Sequence, residues 1–252
     1  MSVSRDKLTD YLHKFLKVDE FNDYCPNGIQ FEGKPKINKI VTGVSASVDL
    51  FEKAAEHKAD AVITHHGLIW DFDRPIYRGG YKKRVKLLME NDISLYGFHL
   101  PLDAHDIVGN NAVIATKLGL LNVKPFGEYR GQYIGMRGKL DKIEANIFFE
   151  LIRKKVNEDL IVFAFGPDNI SNVGIISGGA QKEVKQAVLD GLDVYVTGEV
   201  SEYTLHYVKE EGIHFVAAWH HATERFGIKA LGDHIKKQFE VDVEYIEIPN
   251  PI

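Results

Sequence analysis

The stretch "KIVTGVSASVDLFEKAAEHKADAVITHHG" at 39–67 has a counterpart in "VGIISGGAQKEVKQAVLDGLDVYVTGEVS" at 173–201. Each reads as an apolar run, a turn of small residues, an amphipathic helix, and a second apolar run opened by Asp and closed by Thr. Asp60 matches Asp193 and Thr64 matches Thr197. Strand, helix and strand in that order form a crossover whose strands favour parallel pairing. The correspondence continues in "ENDISLYGFHLPLD" and "EEGIHFVAAWHHATE", with one residue of slippage, so that His99 and Asp103 match His220 and Glu224 as two copies of His-x-x-x-acid. An internal repeat of this length constrains the fold more than any single element.

The expected fold class is therefore α/β: two interlinked α/β repeats with mixed sheets, plus a small inserted strand-helix-strand segment. The first repeat covers 1–124. The second, interlocked with it, covers 171–252. Between them "GQYIGMRGKLDKIEANIFFELIRKKVNEDLIVFAFG" reads strand, helix, strand, and forms a small subdomain over 125–170. At the N-terminus "RDKLTDYLHKFL" sets Leu8, Tyr11, Leu12, Phe15 and Leu16 on one helical face. A turn-rich loop with one short extended piece follows, marked by Pro26, Asn27, Gly28, Gly33 and Pro35.

Composition removes several classes. A net charge of −5 gives no global basic field for non-specific nucleic-acid binding. Cys25 is the only cysteine, which excludes an intrachain disulfide framework and any CxxC motif and points to a reducing cytoplasm. No apolar run approaches the ~18 residues of a membrane span, so no membrane association is expected.

Ligand sites in open α/β sheets gather at the carboxyl ends of strands. Three such ends carry His65 and His66, then His99 to His105, then His220 to Glu224, and a fourth adds Glu199 and Glu202. Mixed imidazole and carboxylate donors suit zinc, iron or manganese. If "HATER" begins a helix, His220 and Glu224 lie one turn apart on one face. Neighbours in a regular strand point to opposite faces, so His65 and His66 converge only if the backbone leaves strand geometry, which Gly67 would permit. The bland alternative for any one fragment is a polar strand end or a solvated helix face. Other features also have two readings: "SGGAQKEV" as an anion-binding helix start or a tight turn, and Trp70, Tyr77 and Trp219 as base-stacking rings or packing. Cys25, beside Pro26 in a turn, reads as structural.

The motifs "DYCPNGIQFEG", "ITHHG", "YGFHLPLDAH", "GNNA", "TGEVSEYTLH" and "HHATERFG", in this order and nearly end to end, closely resemble the NGG-interacting-factor-three-like family, also catalogued as GTP cyclohydrolase I type-two homologues. The resemblance implies a dinuclear metal site and a toroidal homohexamer. By motif it assigns the two divalent ions to His65, His66, Asp103, His220 and Glu224. His99, His105 and His221 fall outside that set; the repeat alone would have nominated His99, which the family pattern makes a residue that orients a ligand or a bound water. A dinuclear centre suits hydrolysis of a nucleotide, a phosphoester or a related cyclic amide-like bond. The expected activity is a metal-dependent hydrolase on a small-molecule or nucleotide substrate. The alternative is a metal-stabilised ring that binds nucleic acid (DNA) or a protein partner without turnover, its basic segments being "YRGGYKKRVK" and "KKVNED".

Overall fold

The computed structural model describes residues 2–74 and 76–252. The chain divides into two compact units, Met1–Leu102 with Ile228–Pro249 and Asp103–Gly227 with Asn250–Ile252. Both are α/β units with mixed sheets, as the repeat requires.

The first unit opens with helix Arg5–Phe15, capped where Ser4 Oγ accepts from the Lys7 amide at 3.2 Å. Leu8, Leu12 and Leu16 of the expected face are buried. Tyr11 and Phe15 instead meet His234: the Tyr11 hydroxyl is 2.6 Å from its Nε2, and the Phe15 ring stacks on it at 4.0 Å. The sheet runs Asp242–Tyr245, Lys39–Ser45, Ala61–His66, Ser94–Gly97, Gly28–Phe31, with the first four parallel and the last antiparallel. Helix Val48–Glu56, capped by Ser47, and helix Gly79–Asn91 supply the crossovers. Val41, Leu50, Phe51, Val62, Leu88 and Leu95 form the core beneath them. Central strands covered in this way read as continuous apolar runs, which is why "AVIT" shows no alternation.

In the second unit the order is Leu121–Tyr129, Gln132–Glu144, Asn169–Ile176, Val194–Thr197, His214–Ala217, Ile161–Phe163. The central three are parallel neighbours, and those outside them pair antiparallel. The strand, helix and strand expected over 125–170 are Gln132–Glu144, Ala145–Lys155 and Ile161–Phe163. Both strands hydrogen-bond into this sheet, one beside Asn169–Ile176 and one beside His214–Ala217. Phe148, Phe149 and Ile152 of the helix join the core with Ile170, Val173, Val194 and Val216.

The repeat extends to individual hydrogen bonds. Asp60 Oδ2 accepts from the amides of Asn38 (2.8 Å) and Lys39 (3.2 Å), and Asp193 Oδ2 from those of Ser171 (2.8 Å) and Asn172 (2.7 Å). Thr64 O accepts from the Phe98 amide as Thr197 O does from that of Ala218. This register makes His99 the counterpart of Trp219, so the one-residue slip lies immediately before His220. Trp219 absorbs it in a left-handed conformation, φ 68°. Among the described residues no helix is long and apolar enough to cross a membrane.

Candidate metal centre

In the first unit the strand Ala61–His66 delivers two imidazoles to its carboxyl end, and the chain after Ser94–Gly97 delivers a third, His99. His65, His66 and His99 each offer a ring nitrogen, and the three atoms lie within 4.8 Å of one another. Each Nδ1 has its own anchor: the Phe98 carbonyl at 2.9 Å from His65, Ser45 Oγ at 3.0 Å from His66, and Asp23 Oδ1 at 2.9 Å from His99. A carbonyl only accepts, so His65 carries its proton on Nδ1 and its basic nitrogen is Nε2. Second partners of this kind fix the orientation and tautomer of metal-binding histidines.

Asp23 is the residue that sequence reasoning missed. Its carboxylate also accepts from the Leu100 amide at 3.0 Å and the Asn27 side chain at 2.9 Å, while Asn27 Oδ1 accepts from the His99 amide at 2.7 Å. Burial alone would raise its pKa, but the His99 ring, with Asn27 and the Leu100 amide, outweighs it and holds the carboxyl below its usual value. "DYCPNG" at 23–28 was legible as a turn, yet nothing in its spacing announced a partner 76 residues away.

His65 and His66 converge without the backbone leaving the sheet. His66 still pairs with Ser45 in the ladder, and the two ring centroids are 4.7 Å apart. The expectation that strand geometry must break is corrected here. At a strand's last residues side chains lean along its direction, past the end of the ladder, where no neighbouring pleat separates them. Gly67 matters for a different reason: a Cβ there would strike the Gln30 amide group. Gln30 Oε1 accepts from the amides of Leu68 (2.7 Å) and Ile69 (3.2 Å), and its Nε2 donates to the Pro26 carbonyl at 2.9 Å, tying the loop to the Cys25–Pro26 turn.

In the second unit the helix His220–Phe239 sets His220 and Glu224 one turn apart, as expected, with Nε2 and Oε2 3.1 Å apart. His220 Nδ1 lies 2.6 Å from Glu199 Oε1. Burial would lower the His220 pKa, but Glu224 and Glu199 together raise it to about 9. Asp103, in helix Leu100–Ala104, accepts from Asn110 Nδ2 at 2.8 Å and Ser177 Oγ at 3.0 Å. Asp103 and Glu224, both buried, offer oxygens within 4.8 Å of one another. Gly178, left-handed at φ 67°, bends the chain just after the strand Asn169–Ile176, and a Cβ on it would strike Glu224 Oε1.

Thus the first unit gathers His65 and His66 and adds His99, while the second gathers Asp103, His220 and Glu224. His105 takes another part: its Nδ1 accepts from the amides of Ile107 (3.1 Å) and Val108 (3.2 Å), shaping the loop before the next helix. His221 is buried, and its amide donates to the Ile252 carbonyl. The donor chemistry of each unit is of the kind that could hold a metal ion. Three imidazole nitrogens converge in one. In the other, carboxylates that favour a proton on His220 would favour a metal charge in its place, and the missing Cβ of Gly178 leaves Glu224 room.

The fold and these clusters define an α/β protein whose His, Asp and Glu groups could hold a metal ion. The chain belongs to the Duf34/NIF3 (NGG1p interacting factor 3) family, whose model matches residues 3–251. It is 44% identical to the "GTP cyclohydrolase 1 type 2 homolog" of Haemophilus influenzae over 97% of this chain and 98% of that one. Among solved structures it resembles protein ybgI, a protein of unknown function, with TM-score 0.94 and 40% identity over 99% of this chain and 100% of that one. TTHA1606 from Thermus thermophilus follows at TM-score 0.90 and 32% identity, over 99% and 100% of the two chains.

Proposed function

We propose that His65, His66, Asp103, His220 and Glu224 together hold two divalent metal ions, zinc, iron or manganese, in a hydrolase acting on a nucleotide, a phosphoester or a related cyclic amide-like bond. The observation that carries this reading is the pairing of donor types: an anchored imidazole cluster in one unit, and buried carboxylates beside an imidazole in the other. Two bound ions would lower the pKa of water towards neutrality and clamp the oxygens of an in-line displacement. The chain's own residues do the positioning. Asp23 orients His99, Glu199 orients His220, and Ser177 with Asn110 fixes the Asp103 carboxylate. The relatives' name, a GTP cyclohydrolase homolog, is compatible with the amide-like end of that range.

Elemental analysis of the purified protein, joined to a turnover screen of nucleotides, phosphodiesters and cyclic amides with Glu224→Ala as the blank, tests the reading. Two metal equivalents and hydrolysis that disappears in the variant are expected; turnover equal in both proteins would overturn it. The family resemblance further supports a homohexamer in the cytoplasm, with a native mass six times the 28.5 kDa chain. A monomer at micromolar concentration would remove the ring.

One observation favours a second reading, a ring that binds nucleic acid or another partner without turnover. In the second unit a pocket of about 460 Å³ is lined by Lys124, Arg137 and Lys139, with one carboxylate, Asp190. Nucleic-acid affinity that falls steeply with salt, in a protein that hydrolyses nothing, would support it over the hydrolase.

A further inference from the structure

Beside the first-unit histidines lies a group of aromatic rings that the metal chemistry does not use. Trp70 and Phe72 stack with centroids 5.6 Å apart and planes 20° from parallel, and Tyr24 meets Phe72 edge-on at 6.5 Å. At its inner end the indole reaches the cluster itself: its centroid is 5.2 Å from that of His99 and 6.0 Å from that of His66. Phe72, at the outer end, is 72% exposed.

An exposed phenylalanine on a slack loop would need no explanation, but this loop is held. The indole Nε1 donates to the Gly67 carbonyl at 3.1 Å, fixing the ring's tilt. The Asp73 amide closes a turn onto the Trp70 carbonyl at 3.0 Å, and the Asp71 amide donates to the Tyr24 carbonyl at 2.9 Å. Gln30 takes the amides of Leu68 and Ile69. Side-chain and backbone freedom are thus given up to hold an exposed phenyl ring against a half-buried indole, contrary to what the hydrophobic effect favours for an isolated chain. Such rings gain when a second flat π-system covers them, and a nitrogen heteroaromatic ring is the partner that stacks best on an electron-rich indole and phenyl pair. A flexible aliphatic group would cover the area without needing rings held near parallel.

We propose that Trp70 and Phe72 form a stacking platform for a planar nitrogen heteroaromatic ring, the size of a nucleobase, in the substrate. The proposal deepens the hydrolase reading and rests on it only for the bond that reacts, which the platform brings beside His66 and His99.

Trp70 and Trp219 are the chain's two tryptophans, so Trp219→Phe leaves Trp70 as the single indole reporter. The zinc-loaded full-length variant is titrated with AMP, GMP and ribose 5-phosphate, the last keeping sugar and phosphate without the ring. Both nucleotides should quench Trp70 fluorescence saturably and ribose 5-phosphate should not. Adding Phe72→Ala, a change at an exposed position, should weaken nucleotide binding about tenfold. An equal response to ribose 5-phosphate, or nucleotide affinity unchanged in Phe72→Ala, would overturn the platform. So would a loss of native mass in Phe72→Ala together with no nucleotide binding, which assigns the rings to contact between copies. The two readings fail separately: saturable nucleotide quenching in a protein that hydrolyses nothing supports the platform and overturns only the hydrolase. Turnover of a ring-free phosphoester without any nucleotide quenching overturns only the platform.

Discussion

Asp23 Oδ1 lies 2.9 Å from His99 Nδ1, joining a turn near the N-terminus to the end of the strand Ser94–Gly97. The aspartate is the reason the third imidazole of the cluster has a fixed orientation. Asp23→Asn preserves the shape and removes the charge that holds the ring. His99 stands outside the five proposed ligands, so zinc affinity measured against a chromophoric chelator should fall, but by less than the roughly 10- to 100-fold cost of losing a ligand's own outer partner. Unchanged affinity would mean that His99 takes no part in holding metal.

Gly178→Ala tests the second unit in the opposite way, by adding an atom. The new methyl would meet Glu224 Oε1 and lie 3.2 Å from His220 Nε2, on a backbone at φ 67°. A left-handed alanine costs roughly 1–2 kcal/mol, so some loss of stability in urea unfolding is expected. Metal content per chain should fall further than stability does. A stable variant with wild-type metal content would show that the Glu224 carboxylate moves aside freely.

Removing Glu224 itself separates ligand from bystander. Glu224→Ala should lose dinuclear occupancy by elemental analysis, whereas His57→Ala should keep it. His57 Nδ1 is committed elsewhere, to Glu244 at 2.9 Å, and is a fair control. Two metal equivalents surviving in Glu224→Ala would sink the assignment of that carboxylate.

Asp60 predicts an acid limb of stability. Burial would raise its pKa, but the amides of Asn38 and Lys39 and the Lys34 ammonium pull it below its usual value. A carboxyl depressed in the folded state stabilises fully above its unfolded value of about 3.9, and that stability disappears as pH falls through the lower folded value. Asp60→Asn should therefore cost about 1–3 kcal/mol at pH 7 and much less at pH 3, read by urea unfolding at both. A pH-independent difference would assign the effect to shape alone.

The sequence showed the crossovers clearly, because Asp60 and Asp193 do one job in two places and that job requires the same residue type. The antiparallel strands Gly28–Phe31 and Ile161–Phe163 are equivalent too, each beside the last parallel strand of its sheet, and that equivalence went unread. They are short, and their shared chemistry is indirect. Gly33 donates its amide to Ser94 Oγ and Gly166 to His214 Nδ1, two acceptors that look nothing alike in the text. The site was legible where its residues stand together in strand-end motifs. It was illegible where an orienting group arrives from a distant turn, as with Asp23, or where two imidazoles converge by leaning off the end of a ladder. The one-residue slip that aligns His99 with His220 was legible, but its place was not, because a left-handed Trp219 leaves no signature in composition.

Cys25, 2% exposed and with its Sγ 3.3 Å from Gln30 Nε2, has a consequence for measurement. Burial is the main reason its thiol is pushed up to about 11, so in the closed protein near neutral pH it is both shielded and almost wholly protonated. A maleimide or iodoacetamide can react only in the moments when the turn that carries Asp23, Cys25 and Asn27 swings away from Gln30. With a single sulfhydryl in the chain, labelling has one address, and its rate is a clock for how often that turn lets go of His99.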